Sequence, residues 1–258
     1  MITAARRLLR TARLFGVTSQ ALSIVLDRAG LRREPYQVTL RADGVKLELR
    51  PGRGDHYAFL ETFALGVYRE ALDRLHSGET VVDIGGNVGC FAIEARRRLG
   101  ASGRVVVAEP AEDCVATLRH NVQINHFTNI DVMPVAIVGR PGPVELILSD
   151  RSLFSSLYEQ VDGRPSGVRR QLVDGLTVHQ LFERAGIDSC ALLKLDCEGA
   201  EYDIVDSLSR DLVARIGAVV LETHRIEGKS VEHLLREMGD FGFKVVSNIN
   251  QYYYLSKT

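Results

Sequence analysis

The chain has 258 residues, 45% hydrophobic and 25% charged, with 32 Lys and Arg against 33 Asp and Glu. This composition suits a soluble globular protein and is too apolar for a disordered one. A formal net charge of -1 argues against a bulk nucleic-acid binder, which needs a basic face. No apolar run approaches the roughly 20 residues that span a bilayer. The length fits one large α/β domain, or one domain with a small appendage.

Residues 2–15 read as an amphipathic helix. Ile2, Ala5, Leu8, Leu9, Ala12 and Phe15 recur at helical spacing, and Arg6, Arg7, Arg10 and Arg13 take the other face. Those arginines interrupt any secretory h-region, so no signal peptide is expected. Such a helix packs on its own domain or on a dimer partner, with anionic lipid as the rival. Gly16 ends it, and Ser19 caps a second helix running to about Arg28. The period then changes to two. Val38 and Leu40, a turn at Ala42-Asp43-Gly44, and Val45, Leu47 and Leu49 predict a β-hairpin. A loop follows at 51–55, then a helical stretch over 57–76.

From Glu79 the chain alternates. Strands are predicted at 80–84, 104–108 and 130–137, with helices at 88–99 and 111–125 between them. Residues 138–176 break the rhythm with a Pro/Gly turn, a strand at 144–148, a polar loop and a short strand near 171–173. The loop over 149–171 is a candidate lid. Helix 178–185, strand 191–195, helix 200–208, strand 218–221, helix 230–238 and strands 243–246 and 252–255 complete the chain. This order predicts a mostly parallel sheet covered on both faces, with its last two strands pairing antiparallel at the edge. We divide it as residues 1–59, a dimerisation or acceptor-site cap, and 60–258, the α/β domain.

Cys90, Cys114, Cys190 and Cys197 form no CxxC pair and no zinc spacing, so free thiols in a reducing cytoplasm are expected. His120, His126 and His179 have no companions and read as solvated surface. Tyr252, Tyr253 and Tyr254 read as strand packing.

Two constellations carry chemistry. The first is the run Asp83-Ile84-Gly85-Gly86-Asn87-Val88-Gly89 between a strand and a helix. A dinucleotide fingerprint fails twice there, at Asn87 and Cys90. An acidic Asp83 would repel a pyrophosphate but favour a cofactor carrying an ammonium and a sulfonium, as S-adenosylmethionine does. Glu109 ends the next strand, where a carboxylate accepts hydrogen bonds from ribose hydroxyls. The second is Lys194-Leu195-Asp196-Cys197-Glu198-Gly199-Ala200-Glu201, with Glu222-Thr223-His224 ending the following strand. A lysine in an apolar strand needs partners, and Asp196 and Glu198 are the nearest in sequence. An ion-pair network that merely caps the sheet is the packing alternative.

These runs, with Glu109-Pro110, resemble the FkbM-type family of S-adenosylmethionine-dependent methyltransferases over roughly residues 60–225. The K-x-D-x-E-G-x-E string followed by E-x-H is the most specific part. Asn121 and Asn125 are similar to the family's N-x-x-x-N, and Ser155-Ser156 to its small-polar patch. Gly86 and Cys197 stand where the family more often has an alanine and an aliphatic residue. The resemblance implies a class I methyltransferase fold, Rossmann-like, and methylation of a hydroxyl on a sugar, polyketide, lipid-linked glycan or other secondary metabolite. Asp83, Gly85, Gly86, Asn87, Gly89, Glu109, Pro110 and Asp196 are then the cofactor-binding candidates. His224 is the first candidate for general base, with Asp196 orienting it or acting itself, and with Lys194 and Glu198 in the catalytic set. Ser155, Ser156 and Glu222 are acceptor candidates. A divalent ion such as Mg held by Asp196, Glu222 and His224 is the rival route. A nicotinamide-dependent oxidoreductase and a non-catalytic partner protein are the competing functions.

Overall fold

The computed structural model describes residues 11–150, 155–165, 167 and 169–257. Most of the arginine-bearing stretch of the first predicted helix, residues 2–10, lies outside them. Residues 11–17 are helical, two residues past the expected end at Phe15. Helix α1 (Ala21–Arg28) follows, and then the expected hairpin of β1 (Tyr36–Thr39) and β2 (Lys46–Leu49).

The helical stretch predicted over 57–76 is three pieces. These are α2 (Asp55–Phe59), a π-helix (Leu60–Leu65) and α3 (Arg69–Leu72). Gly66, at φ +64°, separates the last two. A left-handed residue ends a helix, and glycine adopts it without penalty.

The main sheet has seven strands. They are β3 (Thr80–Ile84), β4 (Arg104–Ala108), β5 (Ile130–Met133), β11 (Cys190–Leu195), β12 (Ile216–Glu222), β13 (Lys244–Ile249) and β14 (Tyr252–Ser256), ordered β5-β4-β3-β11-β12-β14-β13. β3, β4, β5, β11 and β12 are parallel, and β14 runs against β12 and β13. The last two strands thus pair antiparallel at the edge, as expected, with the reversed β14 one place in from it. The short turn after β13 reverses the chain, and the returning strand fills the gap beside β12.

Helices α4 (Cys90–Leu99), α5 (Glu112–Gln123), α6 (Val178–Ala185), α7 (Glu201–Asp206) and α9 (Val231–Asp240) supply the crossovers and covering layers. A short α8 (Arg210–Ala214), capped by the Ser209 hydroxyl, was not expected from the sequence. The strand predicted at 130–137 is interrupted at Pro134, which has no N–H for the ladder. Its second part, β6 (Ala136–Ile137), joins another sheet with β7 (Gly142–Leu148) and β10 (Arg169–Leu176). Two short strands, β8 (Gln160–Val161) and β9 (Arg164–Pro165), lie in the polar loop between them.

Alternation along the buried strands makes two cores. Val81, Val105, Val107, Leu192 and Val220 face one side, while Val82, Val106, Leu193, Val219 and Leu221 face the other. The first core also holds Leu14, Ile24, Val38, Leu47 and Leu49, so the N-terminal elements share the sheet's own core. Asn121 and Asn125 hold them there. Asn121 Oδ1 accepts from the Glu48 N–H at 2.6 Å, its Nδ2 donates to the Glu48 carbonyl at 3.1 Å and Val88 carbonyl at 2.9 Å, and Asn125 Oδ1 accepts from the Lys46 N–H at 2.8 Å. Two amides one helical turn apart thus act as a partner strand for the free edge of β2.

Candidate active site

The carboxyl ends of β3, β4, β11 and β12 border a cleft of about 400 Å³. At its floor β3 runs into Gly85, whose φ is +82°. A Cβ there would lie 1.7 Å from the Asp196 carbonyl oxygen. Glycine lets the two loops touch. At Gly86 a Cβ would fall 2.1 Å from Val107 Cγ1, so the alanine common in the family would displace that side chain. Asn87, at φ +47°, turns its N–H onto Glu109 Oε2 at 2.7 Å, and the Ala111 N–H donates to Glu109 Oε1 at 2.9 Å. Burial pushes the Glu109 carboxyl up to about 7, against these two donors. Glu109 and Pro110 both line the cleft.

Asp83 is placed differently from the sequence expectation. Its side chain is fully buried behind the glycine loop, where Oδ1 accepts from Lys194 Nζ at 3.0 Å. It is the counter-ion of Lys194 and does not meet a cationic ligand in the cleft. Register explains this, because Asp83 and Lys194 are Cα partners on adjacent parallel strands. Lys194 also donates to the Gly85 carbonyl at 3.0 Å and approaches Asp196 Oδ2 at 3.3 Å. Burial pulls the ammonium down, but Asp196 and Asp83 outweigh it and hold Lys194 above its ordinary range. It is a permanently charged brace between the two loops, not a proton carrier.

Asp196 lines the cleft and accepts from the Tyr68 hydroxyl at 3.3 Å. Burial raises its carboxyl, yet Lys194 and His224 together hold it below the usual range, so it is ionised. Glu222 shares a hydrogen bond with it and moves the other way. Burial and the Asp196 charge push Glu222 well above the usual carboxyl range. Glu222 Oε1 also accepts from the Gln251 amide.

His224 is 3% exposed and ringed by carboxyl groups. Its Nδ1 lies 3.1 Å from Glu201 Oε1, and its Nε2 lies 3.6 Å from Glu198 Oε2 and 3.8 Å from Glu222 Oε1. Burial disfavours the imidazolium, but Glu201 and Glu198 overcome it and raise His224 well above its usual value. That direction favours the protonated imidazole and weakens the case for His224 as the general base. Glu198, at φ +51°, is pushed up to about 8 by burial. Glu201 organises the loop. It accepts from the Cys197 N–H at 2.7 Å and the Gly199 N–H at 2.9 Å, as well as facing His224. The motif contained Glu201, but sequence spacing gave no reason to place it here.

Ser155 and Ser156 line the cleft. The Ser156 hydroxyl donates to the Glu198 carbonyl and accepts from the Tyr158 N–H at 3.0 Å, so it fastens the loop to the floor. Ser155 Oγ accepts from the Ser149 N–H at 3.1 Å. Residues 151–154 of the expected lid lie outside the described residues. Tyr57, Glu61, Thr62, Tyr68 and Gln251 also line the cleft. No motif marked them, and they enter only because α2, the π-helix, the turn before α3 and the β13–β14 turn fold over it.

The residues at the glycine-loop end fit S-adenosylmethionine. Glu109 is a buried carboxylate fixed by two backbone donors, with lone pairs left for a ribose diol, and the glycines leave room for a ligand against the backbone. A divalent metal does not fit. Asp196, Glu201 and His224 bring ligand atoms within 4.8 Å of one another. Of the three expected ligands, however, Asp196 is paired with Lys194, Glu222 Oε1 takes the Gln251 amide, and His224 faces carboxyl groups through both nitrogens. Mg would need several open oxygen ligands.

A parallel sheet with one reversed strand, a glycine loop after β3 and a carboxylate closing β4 define a class I S-adenosylmethionine-dependent methyltransferase. Comparison with known proteins agrees. The family model described as the methyltransferase FkbM domain matches residues 83–245. The chain belongs to the FkbM methyltransferase family. The methyltransferase sdnD of Sordaria araneosa is 23% identical over 223 residues, covering 72% of this chain and 86% of the relative. Among solved structures, precorrin-6y C5,15-methyltransferase from Geobacter metallireducens aligns with a TM-score of 0.46 and 13% identity, over 75% of this chain and 86% of that one. TrmK from M. capricolum, in complex with S-adenosylhomocysteine, aligns at 0.43 and 11%, over 74% and 67%. The family sets aside the nicotinamide and non-catalytic readings. Among the described residues no helix is long and apolar enough to cross a membrane.

Proposed function

We propose that the enzyme transfers a methyl group to a hydroxyl of a small molecule, a sugar, glycoside or other secondary metabolite. One observation carries this reading: Asp196 lines the cleft between Glu109 and Glu222, with Lys194 Nζ and the Tyr68 hydroxyl each 3.3 Å from its Oδ2. S-adenosylmethionine supplies, when bound, a methyl group on a sulfonium whose departure needs no acid. The protein then has to align the acceptor and take its proton. Glu109 holds the ribose, and Gly85 and Gly86 let the cofactor lie against the main chain. Asp196 accepts the hydroxyl proton at a carboxylate oxygen. Tyr68 and Lys194 hold that carboxylate in place at 3.3 Å each. His224, fixed by Glu201, keeps a positive charge behind it.

The test is radiolabelled methyl transfer to a panel of glycosides by wild type and Asp196→Asn. The variant should lose about 10²–10⁴-fold in kcat, the range of a general base, with S-adenosylhomocysteine affinity within a few-fold. A variant of near-normal turnover would sink the assignment. The pH profile separates the two carboxyls. With Asp196 as base the rate is level from pH 6 to 9, whereas a rise through about 8 would move the role to Glu198.

A further inference from the structure

The N-terminal segment walls the cleft through Tyr57, Glu61 and Thr62 of α2 and the π-helix. It also reaches the cofactor end, through a series of contacts that no motif marked. Arg50 follows β2, and its guanidinium forks onto the fully buried Asp55 carboxylate. Nε lies 2.9 Å from Oδ2 and Nη2 lies 3.0 Å from Oδ1. Nη1 lies 3.2 Å from Asp113 Oδ2 on α5. Nη2 also donates to Cys114 Sγ at 3.5 Å, and the Cys114 thiol donates to Asn87 Oδ1 at 3.7 Å. Asn87 in turn gives its N–H to Glu109 at 2.7 Å. Four contacts therefore run from Asp55 through Arg50, Cys114 and Asn87 to the carboxylate that suits the ribose. Arg50 and Asp55 lie outside residues 83–245, the stretch matched by the family.

Each link has a physical reason. Asn87 stands at φ +47°, a left-handed conformation that costs a side-chain-bearing residue and persists only where its surroundings hold it. An anchored amide oxygen supplies that hold and aims the N–H of the same residue. Cys114 is 1% exposed, and burial pushes its thiol well above the ordinary range. It is therefore an S–H at neutral pH, able to donate to the amide while its sulfur accepts from Arg50. The planar fork of Arg50 serves Asp55 and Cys114 together, which a lysine ammonium on a flexible stem does not.

We propose that Arg50, acting through Cys114, is a positioning residue for the cofactor: it fixes Asn87 so that the N–H of the glycine loop holds Glu109 ready for the ribose hydroxyls. The N-terminal segment thus completes the cofactor end as well as walling the far one. This inference concerns cofactor binding alone and does not depend on which acceptor is methylated.

The experiment measures S-adenosylhomocysteine affinity by calorimetry over pH 5–9, with the melting temperature, for wild type, Cys114→Ser, Cys114→Ala, Arg50→Lys and the double variant Arg50→Lys/Cys114→Ala. The Asn87 N–H is one of two donors that oppose the rise of Glu109 to about 7. Loss of its aim should move the midpoint of binding to higher pH. Asp83 and Lys194 act on Glu109 from β3 and β11, and the Ala111 N–H bonds it, and the variants leave all three in place. Cys114→Ala and Arg50→Lys should each weaken binding at pH 7 about two- to tenfold, the range of one lost hydrogen bond, and raise the midpoint. Cys114→Ser should stay within about twofold of wild type, because a hydroxyl both donates and accepts. The double variant should lose no more than the weaker single, since both changes break one series of contacts. A lowered melting temperature with an unmoved pH midpoint would mean that the contacts only stabilise the fold, and would overturn the inference. Equal losses in Cys114→Ser and Cys114→Ala, or additive losses in the double variant, would overturn it as well. If Arg50→Lys does not fold, the contrast between Cys114→Ser and Cys114→Ala still decides.

Discussion

The glycine-loop end of the cleft is made of backbone. Gly85 touches the Asp196 carbonyl, and Glu109 is oriented by the N–H groups of Asn87 and Ala111. The far end is made of side chains from segments distant in sequence: Glu61 and Tyr68 from the N-terminal elements, Asp196 and Glu222 from two strand ends, and Gln251 from a late turn. Backbone sites tolerate little substitution and bind one ligand. Side-chain sites can change acceptor while the cofactor end stays fixed. Lys194 joins the two, since it bonds the Gly85 carbonyl and pairs with Asp196.

The largest expected effect breaks that joint. Lys194→Met leaves Asp83 fully buried without its counter-ion, and loss of one partner of a buried pair costs about 3–5 kcal/mol. Urea unfolding should show it, and adding Asp83→Asn should restore much of the loss. Recovery of stability without recovery of turnover would show that the brace also serves catalysis.

Next is Gly85→Ala, which strikes the cofactor end alone. Its Cβ would overlap the Asp196 carbonyl, and forcing the loops apart costs about 1–3 kcal/mol. Read as binding, that is roughly ten- to a hundredfold in S-adenosylhomocysteine affinity by calorimetry. Unchanged affinity would mean the loop contact is not what shapes this end.

Asn121→Ala tests how the N-terminal wall is held. The amide is fully buried and makes three hydrogen bonds, two of them to Glu48. Leaving those backbone groups unpaired costs about 1–3 kcal/mol. Asn125→Ala, more exposed, should cost less. If the wall forms the acceptor end, both variants should raise acceptor KM while leaving cofactor affinity unchanged.

The smallest effect is a pH dependence of cofactor binding. Burial raises the Glu109 carboxyl from an ordinary 4.5 to about 7. Between those values the folded protein holds a proton that the unfolded chain has lost. This group's contribution therefore favours the fold below 4.5 and is lost as pH rises toward 7. Ribose hydroxyls are best accepted by the ionised form. S-adenosylhomocysteine affinity should thus be about twofold weaker at pH 7, where half the carboxyl is protonated, than on the alkaline plateau. Titrations across pH 5–9 would show this, and Glu109→Gln should flatten the curve.

The glycine loop, Glu109 and the Lys194–Glu201 string were legible because each is a local pattern at a strand end. Their roles were less so. Asp83 reads from sequence as a ligand for a cationic cofactor, but its partner Lys194 is 111 residues away and becomes a neighbour only through the β3–β11 register. His224 reads as a base from its ordinary pKa, whereas Glu201, 3.1 Å from its Nδ1, helps raise it well above that value. Pro134 could have signalled the break between β5 and β6. Nothing local signalled that β14 inserts beside β12, or that Glu61 and Tyr68 reach the cleft.

The amino-acid sequence by itself determined the alternation of strands and helices and which chemical groups stand at the carboxyl edge of the sheet. Both follow from short-range periodicity and turn chemistry. Only the tertiary structure decided which of those groups face the cleft and which hold protons. That depends on burial and on charges brought together from segments far apart in the chain, and no spacing along the sequence encodes it.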